Sequence, residues 1–187
     1  MKRANNLGFT LVELMITLAI AGITLTLAVP ALRETIIKNR VAAEVNSLVA
    51  TLNKGRSEAV KRGNSVSFCT SSNGTSCGGN WEQGWLMFDD TDGDGAFDAG
   101  ETLITVAQGF ASSDTLSYTA TNTFVRFKSG GFAQEAGVFK LCDSSNTAKY
   151  ARSLYISSTG RVRLSSDTDG TGIHDDGLAT STELSCP

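Results

Sequence analysis

GFTLVELMITLAIAGITLTLAVP, residues 8 to 30, is apolar almost throughout and carries a single acid, Glu13. From Phe9 to Val29 the run is 21 residues. At roughly 1.5 Å per residue a helix of that length covers about 31 Å, which matches a hydrocarbon core of about 30 Å. The stretch before it, MKRANNLG, holds Lys2 and Arg3, and positive flanks stay on the cytoplasmic side. The sequence therefore predicts a single membrane-spanning helix with everything after it outside the cytoplasm. A lone carboxylate in hydrocarbon costs about 2.5 to 3.5 kcal/mol, so Glu13 calls for a partner or a task. Pro30 lies inside the helical pattern, removes one backbone donor, and is expected to kink or loosen the helix there.

A secretory signal also begins with basic residues and an apolar core. Its core is about 7 to 15 residues and ends at a small-residue cleavage site, whereas this one is longer, starts abruptly at Gly8, and has no A-x-A end. The plain account of Glu13 is a side chain that snorkels to the interface. The pattern Gly8-Phe9-Thr10-Leu11-Val12-Glu13-Leu14 resembles the processing site of type IV prepilins and pseudopilins. The resemblance implies a leader of residues 1–8, cut after Gly8 by a prepilin peptidase that also methylates the new N-terminus at Phe9. It further implies that Glu13, then the fifth residue, meets the N-terminal amine of a neighbouring subunit in a filament. The spanning segment is 9–30.

After Pro30, apolar residues at Ile37, Val41, Val45, Leu48 and Leu52 recur every three or four positions, which predicts an amphipathic continuation of the helix over 31–62. Gly63, following Lys61 and Arg62, is a stop signal. Short strands are predicted at 65–69, 84–88, 102–108, 115–119, 123–128, 138–142, 152–156 and 161–164, separated by Ser/Asn/Asp/Gly clusters. Nineteen glycines against two prolines suit such a turn-rich β domain over 63–187. Trp81 and Trp85 read as core anchors. The helix ending in GRSEAVKRG, the strand with a cysteine, WEQGWLMFDD and the acidic DGDGAFDAGE turn together resemble the GspH/FimT family of minor pilins and pseudopilins. The resemblance runs strongly to about Glu101 and loosely beyond. The fold it implies is α+β and type IV pilin-like: a long N-terminal helix, membrane-spanning in its first half, packed on a small antiparallel β-sandwich.

Cys69, Cys77, Cys142 and Cys186 all follow the span, and an even number outside the cytoplasm favours disulfides, with three connectivities. The preferred pairing is Cys69 with Cys77, closing a short polar loop, and Cys142 with Cys186, tethering the C-terminal tail. A four-thiolate zinc site is the alternative, against which no C-x-x-C pair occurs. Charge is unevenly spread. Between Gly63 and Val125 there are eight acids and no lysine or arginine, while Arg126 to Arg163 holds seven basic residues and two acids. An acidic part and a basic part of the domain are expected.

Asp90 to Glu101, DTDGDGAFDAGE, spells a twelve-residue calcium loop, with Asp90, Asp92 and Asp94 alternating, Gly95 at the turn, Asp98, and Glu101 last. It sits between predicted strands instead of helices, and a solvated hairpin loop is the other account. A run from Asp167, DTDGTGIHDDG, repeats the opening without the final Glu. No cofactor is required, and calcium is the one cation these loops suggest.

STGRVRL, residues 158 to 164, places Arg161 and Arg163 on the same side of an extended segment, about 6 to 7 Å apart, with Val162 opposite. Two such guanidiniums suit successive phosphates of a nucleic acid strand, and Lys140, Lys149 and Arg152 would widen the patch. Gly160-Arg161-Val162-Arg163 also resembles the GRxR motif of the FimT branch, in which it binds DNA during natural transformation. The resemblance implies a low-copy pilus subunit that holds double-stranded DNA without regard to sequence. It would sit in the bacterial inner membrane with a periplasmic C-terminal domain, partnered by prepilin peptidase and by major and minor pilins. A GspH-like pseudopilin of type II secretion, or a purely structural minor pilin, is the alternative. Catalysis has little to build on, since His174 is the sole histidine and no nucleophile accompanies it.

Overall fold

The structure is a computed structural model that describes residues 8–110, 113–176 and 182–186. Residues 1–7, Lys2 and Arg3 among them, lie outside the described residues. Helix α1 spans Leu11–Arg62. Thr10 opens it: its hydroxyl accepts the Glu13 amide at 3.2 Å and its carbonyl accepts the Leu14 amide at 3.1 Å. Thr10-Leu11-Val12-Glu13 is thus the threonine half of a capping box, a local role for the motif that the sequence reading overlooked.

The chain forms two compact units, Met1–Asn39 and Arg40–Pro187. In the first, the helix is long and apolar enough to cross a membrane, and its most apolar window is wholly exposed. Thr17, Thr24 and Thr26 each turn their hydroxyls onto carbonyls of their own helix. None of these three side-chain hydroxyls is left unpaired, which is what an apolar surrounding would require. Pro30 sits inside α1, and having no N–H it leaves the carbonyl one turn earlier without its usual donor.

In the second unit α1 buries Val41, Val45, Leu48, Leu52, Gly55 and Ala59, the alternating steps of four and three that one helix face requires. Among the described residues eight strands follow: β1 (Val66–Thr70), β2 (Gly84–Asp89), β3 (Thr102–Gln108), β4 (Thr115–Thr119), β5 (Val125–Phe127), β6 (Gly137–Cys142), β7 (Arg152–Ile156) and β8 (Val162–Leu164). They form two antiparallel four-stranded sheets, ordered β3-β2-β1-β5 and β4-β6-β7-β8. The predicted strand at 123–128 contracts to β5 because Phe124 leaves the ladder to lie against the Arg126 guanidinium, 4.9 Å from its ring centre.

Helix and first sheet meet closely at Gly55. A Cβ there would come within 2.2 Å of the Phe68 ring, so only glycine admits this approach. Aromatic side chains fill the space between the sheets: Trp81 meets Phe139 edge-on at 4.9 Å and Tyr118 at 5.7 Å, while also contacting Trp85 of β2 at 6.4 Å. Both tryptophans are buried, as their core assignment requires. Disulfides join Cys69 to Cys77 and Cys142 to Cys186, the pairing preferred from the sequence. The second lies beside Ala151 and Leu184, fixing the end of the tail to the second sheet.

Candidate nucleic-acid interface

The second sheet presents one face to the core and one outward, and its register sorts the side chains between them. Thr119 pairs with Val138, Val138 with Tyr155, and Tyr155 with Arg163. Directly paired residues in an antiparallel sheet project to the same side. Their neighbours Phe139, Leu154 and Ile156 are buried, so the Thr119–Arg163 row faces outward. Val162 pairs with Ile156 and turns inward. Arg161 and Arg163 are both exposed and line a single trough of about 530 Å³, whose lining includes Val138 and Tyr155.

The turn that carries them is held rigidly. Gly160 donates to the Ser157 carbonyl at 2.8 Å, Ser157 donates to the Arg161 carbonyl at 3.0 Å, and the Arg161 amide reaches the Ser157 hydroxyl at 3.2 Å. Gly160 has φ +75, and a Cβ on it would strike the Gly131 carbonyl at 2.0 Å. Arg56 of α1 ties the two loops together, donating through Nε to Gly131 at 2.9 Å and through Nη2 to the Thr159 carbonyl at 3.2 Å. Tyr155 and Arg56 are the site residues that sequence reasoning missed. Tyr155 was legible from the alternation of β7. Arg56 was not, because its partners are backbone carbonyls 75 and 103 residues away.

The other predicted cations separate. Lys140 pairs with Ser153 and shares the outward face, but its ammonium donates to the Ser185 carbonyl of the tail at 2.9 Å. Arg152 does not join the patch. It pairs with the buried Leu141, so it leaves β7 on the core side, and its Nη1 turns back to the carbonyls of Ala151 and Lys149. Burial lowers its affinity for a proton. Lys149 sits on the short turn Ala148–Tyr150 that leads into the Arg152 end of β7, roughly 10 Å or more along the strand from the Tyr155–Arg163 pair. The expected basic part also loses Arg126, which is buried against Asp90 at 2.8 Å.

That pair also bears on the acidic loop. Oxygens of Asp90, Asp92 and Asp94 come within 4.8 Å of one another. Asp90, however, accepts from Arg126 and the Ser67 hydroxyl on one oxygen and from the Gly93 amide on the other. Glu101 spends both oxygens on the Thr91 and Asp98 amides, closing the loop. Asp98 thus enters through its backbone. The donor set fits calcium poorly, since an internal guanidinium already neutralises its most buried carboxylate. In the second acidic run Asp167 is held by the Gly170 and Gly172 amides, and the Gly172 bond leads in lowering its pKa. His174 is partly buried against Ser165, and desolvation lowers its pKa. A larger cavity, about 740 Å³, opens beside Trp81 and β4. It sets one cation, Lys140, against Glu82 and offers no paired guanidiniums.

Residues 44–160 match the family model described as Type II transport protein GspH, and residues 3–29 match the Prokaryotic N-terminal methylation motif. The chain belongs to the GspH family. Gly8, Phe9 and Glu13 all fall within the methylation-motif match. In fold this GspH-family protein is similar to the type IV minor pilin FimU of Pseudomonas aeruginosa, with a TM-score of 0.56 and 22% identity over 68% of this chain and 90% of that one. It is also similar to EpsH, the minor pseudopilin of the Vibrio cholerae type 2 secretion system, with a TM-score of 0.50 and 11% identity over 67% and 95%. None of the curated proteins matches. Membership of this pilin and pseudopilin family makes the protein a structural component that interacts with other pilins, and its apolar helix is long enough to anchor it in a membrane.

Proposed function

We propose that this GspH-family protein is a FimT-like minor pilin that holds double-stranded DNA by its phosphates, without regard to sequence, during uptake in natural transformation. In this reading prepilin peptidase cleaves after Gly8 and methylates Phe9, and the domain after the span is periplasmic until the subunit enters the pilus. Glu13 then pairs with the terminal amine of a neighbour, because a carboxylate in hydrocarbon is stable only beside such a charge. One observation carries the DNA contact: Arg161 and Arg163 are exposed side by side in one trough, on a turn fastened to the helix. Planar guanidinium forks engage phosphate oxygens in pairs. Contacts of this kind position a strand and carry no base information.

The test titrates two unrelated fluorescent duplexes with the full-length protein in detergent. Equal affinities are expected, falling with salt. The double variant Arg161→Gln/Arg163→Gln should bind on the order of tenfold or more weakly, and its salt slope should be shallower by roughly 1.8, about 0.9 for each phosphate that an arginine no longer neutralises. Affinity indifferent to both substitutions would exclude these arginines. The type II family model and the likeness to EpsH favour a second reading, a pseudopilin of type II secretion. That reading asks nothing of Arg161 and Arg163, so the same variants discriminate: secretion that survives their loss belongs to it.

A further inference from the structure

We infer that the trough beside Arg161 and Arg163 seats an unpaired nucleotide, so that single-stranded DNA, or a frayed strand end, binds in preference to intact duplex. The inference rests on the DNA-binding reading and extends it: duplex is held by its phosphates alone, and a strand that exposes an unpaired base is held more tightly.

A surface that only holds phosphates needs cations and no cavity. Here the cations border a trough of about 530 Å³ lined by the Tyr155 ring and the Val138 side chain. A second recess of about 310 Å³ shares Thr119, Val138 and Tyr155 with it and runs on to Lys140 and the tail. The trough therefore brings together the two things a nucleotide offers, an anionic phosphate and an apolar π-face. Aromatic rings beside a basic groove are how proteins take single strands without reading sequence, and each stacked base contributes appreciably to affinity. A base within a duplex is paired and stacked on its neighbours and cannot reach the ring.

The electrostatics suit one orientation. Burial pushes the Tyr155 phenol up, with the Ser153 side chain and Arg163 opposing the rise and Asp176 and Asp175 adding to it; a phenol is neutral at about pH 7 in any case and repels no phosphate. Asp176 and Glu183 border the far recess. Like charge disfavours a phosphate there, which directs the backbone toward Arg161 and Arg163 and the base toward Tyr155.

The test uses the full-length protein in detergent with a fluorescein-labelled oligonucleotide of mixed sequence, offered single-stranded and as a blunt duplex. Wild type should bind the single strand several-fold more tightly. Tyr155→Leu should lose about tenfold on the single strand and little on the duplex, while Tyr155→Phe keeps the preference because it keeps the ring. Absence of any single-strand preference in wild type overturns the inference even where Tyr155→Leu does not fold. An equal loss on both forms in a folded Tyr155→Leu also overturns it. In either case duplex binding sensitive to Arg161→Gln leaves the phosphate reading standing. Failure of wild type to bind either form removes both.

Discussion

Asp90 and Arg126 meet at 2.8 Å with side-chain exposures of 0% and 7%, and the Ser67 hydroxyl completes the cluster by donating to the same carboxylate oxygen. Removing one partner of a buried ion pair strands the other charge in a medium that solvates it badly. Asp90→Asn should therefore destabilise the domain by about 3 to 5 kcal/mol, read as a lower urea midpoint. A solvated hairpin carboxylate would move it by a few tenths at most. The two residues lie 36 positions apart, one in the acidic stretch and one in the basic stretch, and nothing local in either stretch announces the pairing. Arg161 and Arg163 are the opposite case. Their common side is what the period of an extended segment predicts, and both line the same trough. Arg152 looked equivalent in composition, but its register partner, the buried Leu141, turns it away.

At the level of elements, α1 approaches the first sheet where Gly55 faces Phe68. Helix propensity alone favours alanine over glycine by about 1 kcal/mol. The Cβ would instead sit 2.2 Å from the Phe68 ring and 3.2 Å from the Met87 sulfur, and overpacking of this kind costs about 1 to 3 kcal/mol. The packing cost exceeds the propensity gain, so Gly55→Ala should lower the thermal midpoint, and a raised midpoint would show that the helix can shift outward freely. Strand positions were legible because alternating apolar residues and Gly/Asn/Asp turns are local signals. Strands β3, β4 and β7 end at the predicted residues. The order β3-β2-β1-β5 and β4-β6-β7-β8 was not legible, since the return of β5 to the first sheet between β4 and β6 depends on contacts far apart in the chain. The same holds for Arg56, whose role is to join two turns that only the assembled sheet and helix bring together.

For the whole molecule, the two disulfides constrain the unfolded chain unequally. Cys142–Cys186 spans 44 residues and Cys69–Cys77 spans 8, which on the chain-entropy account corresponds to roughly 4 and roughly 2.6 kcal/mol. Cys142→Ser/Cys186→Ser should lower the thermal midpoint more than Cys69→Ser/Cys77→Ser, and should free Lys140 from the Ser185 carbonyl. Equal midpoints would mean that the tail is held by its packing and hydrogen bonds alone. The sequence by itself determined the apolar span, the processing motif with Glu13, the amphipathic stripe of α1 and the existence of the strands, because each depends on composition or periodicity over a short stretch; it only favoured one of three cysteine pairings, and the Cys142–Cys186 bridge across 44 residues was decided by the fold. Only the tertiary structure decided which cations remain outside. It buried Arg126 on Asp90, turned Arg152 inward, tied Lys140 to the tail, and left Arg161 and Arg163 beside Tyr155. Sheet order and register make those choices, and they are set by burial between segments that no local pattern links.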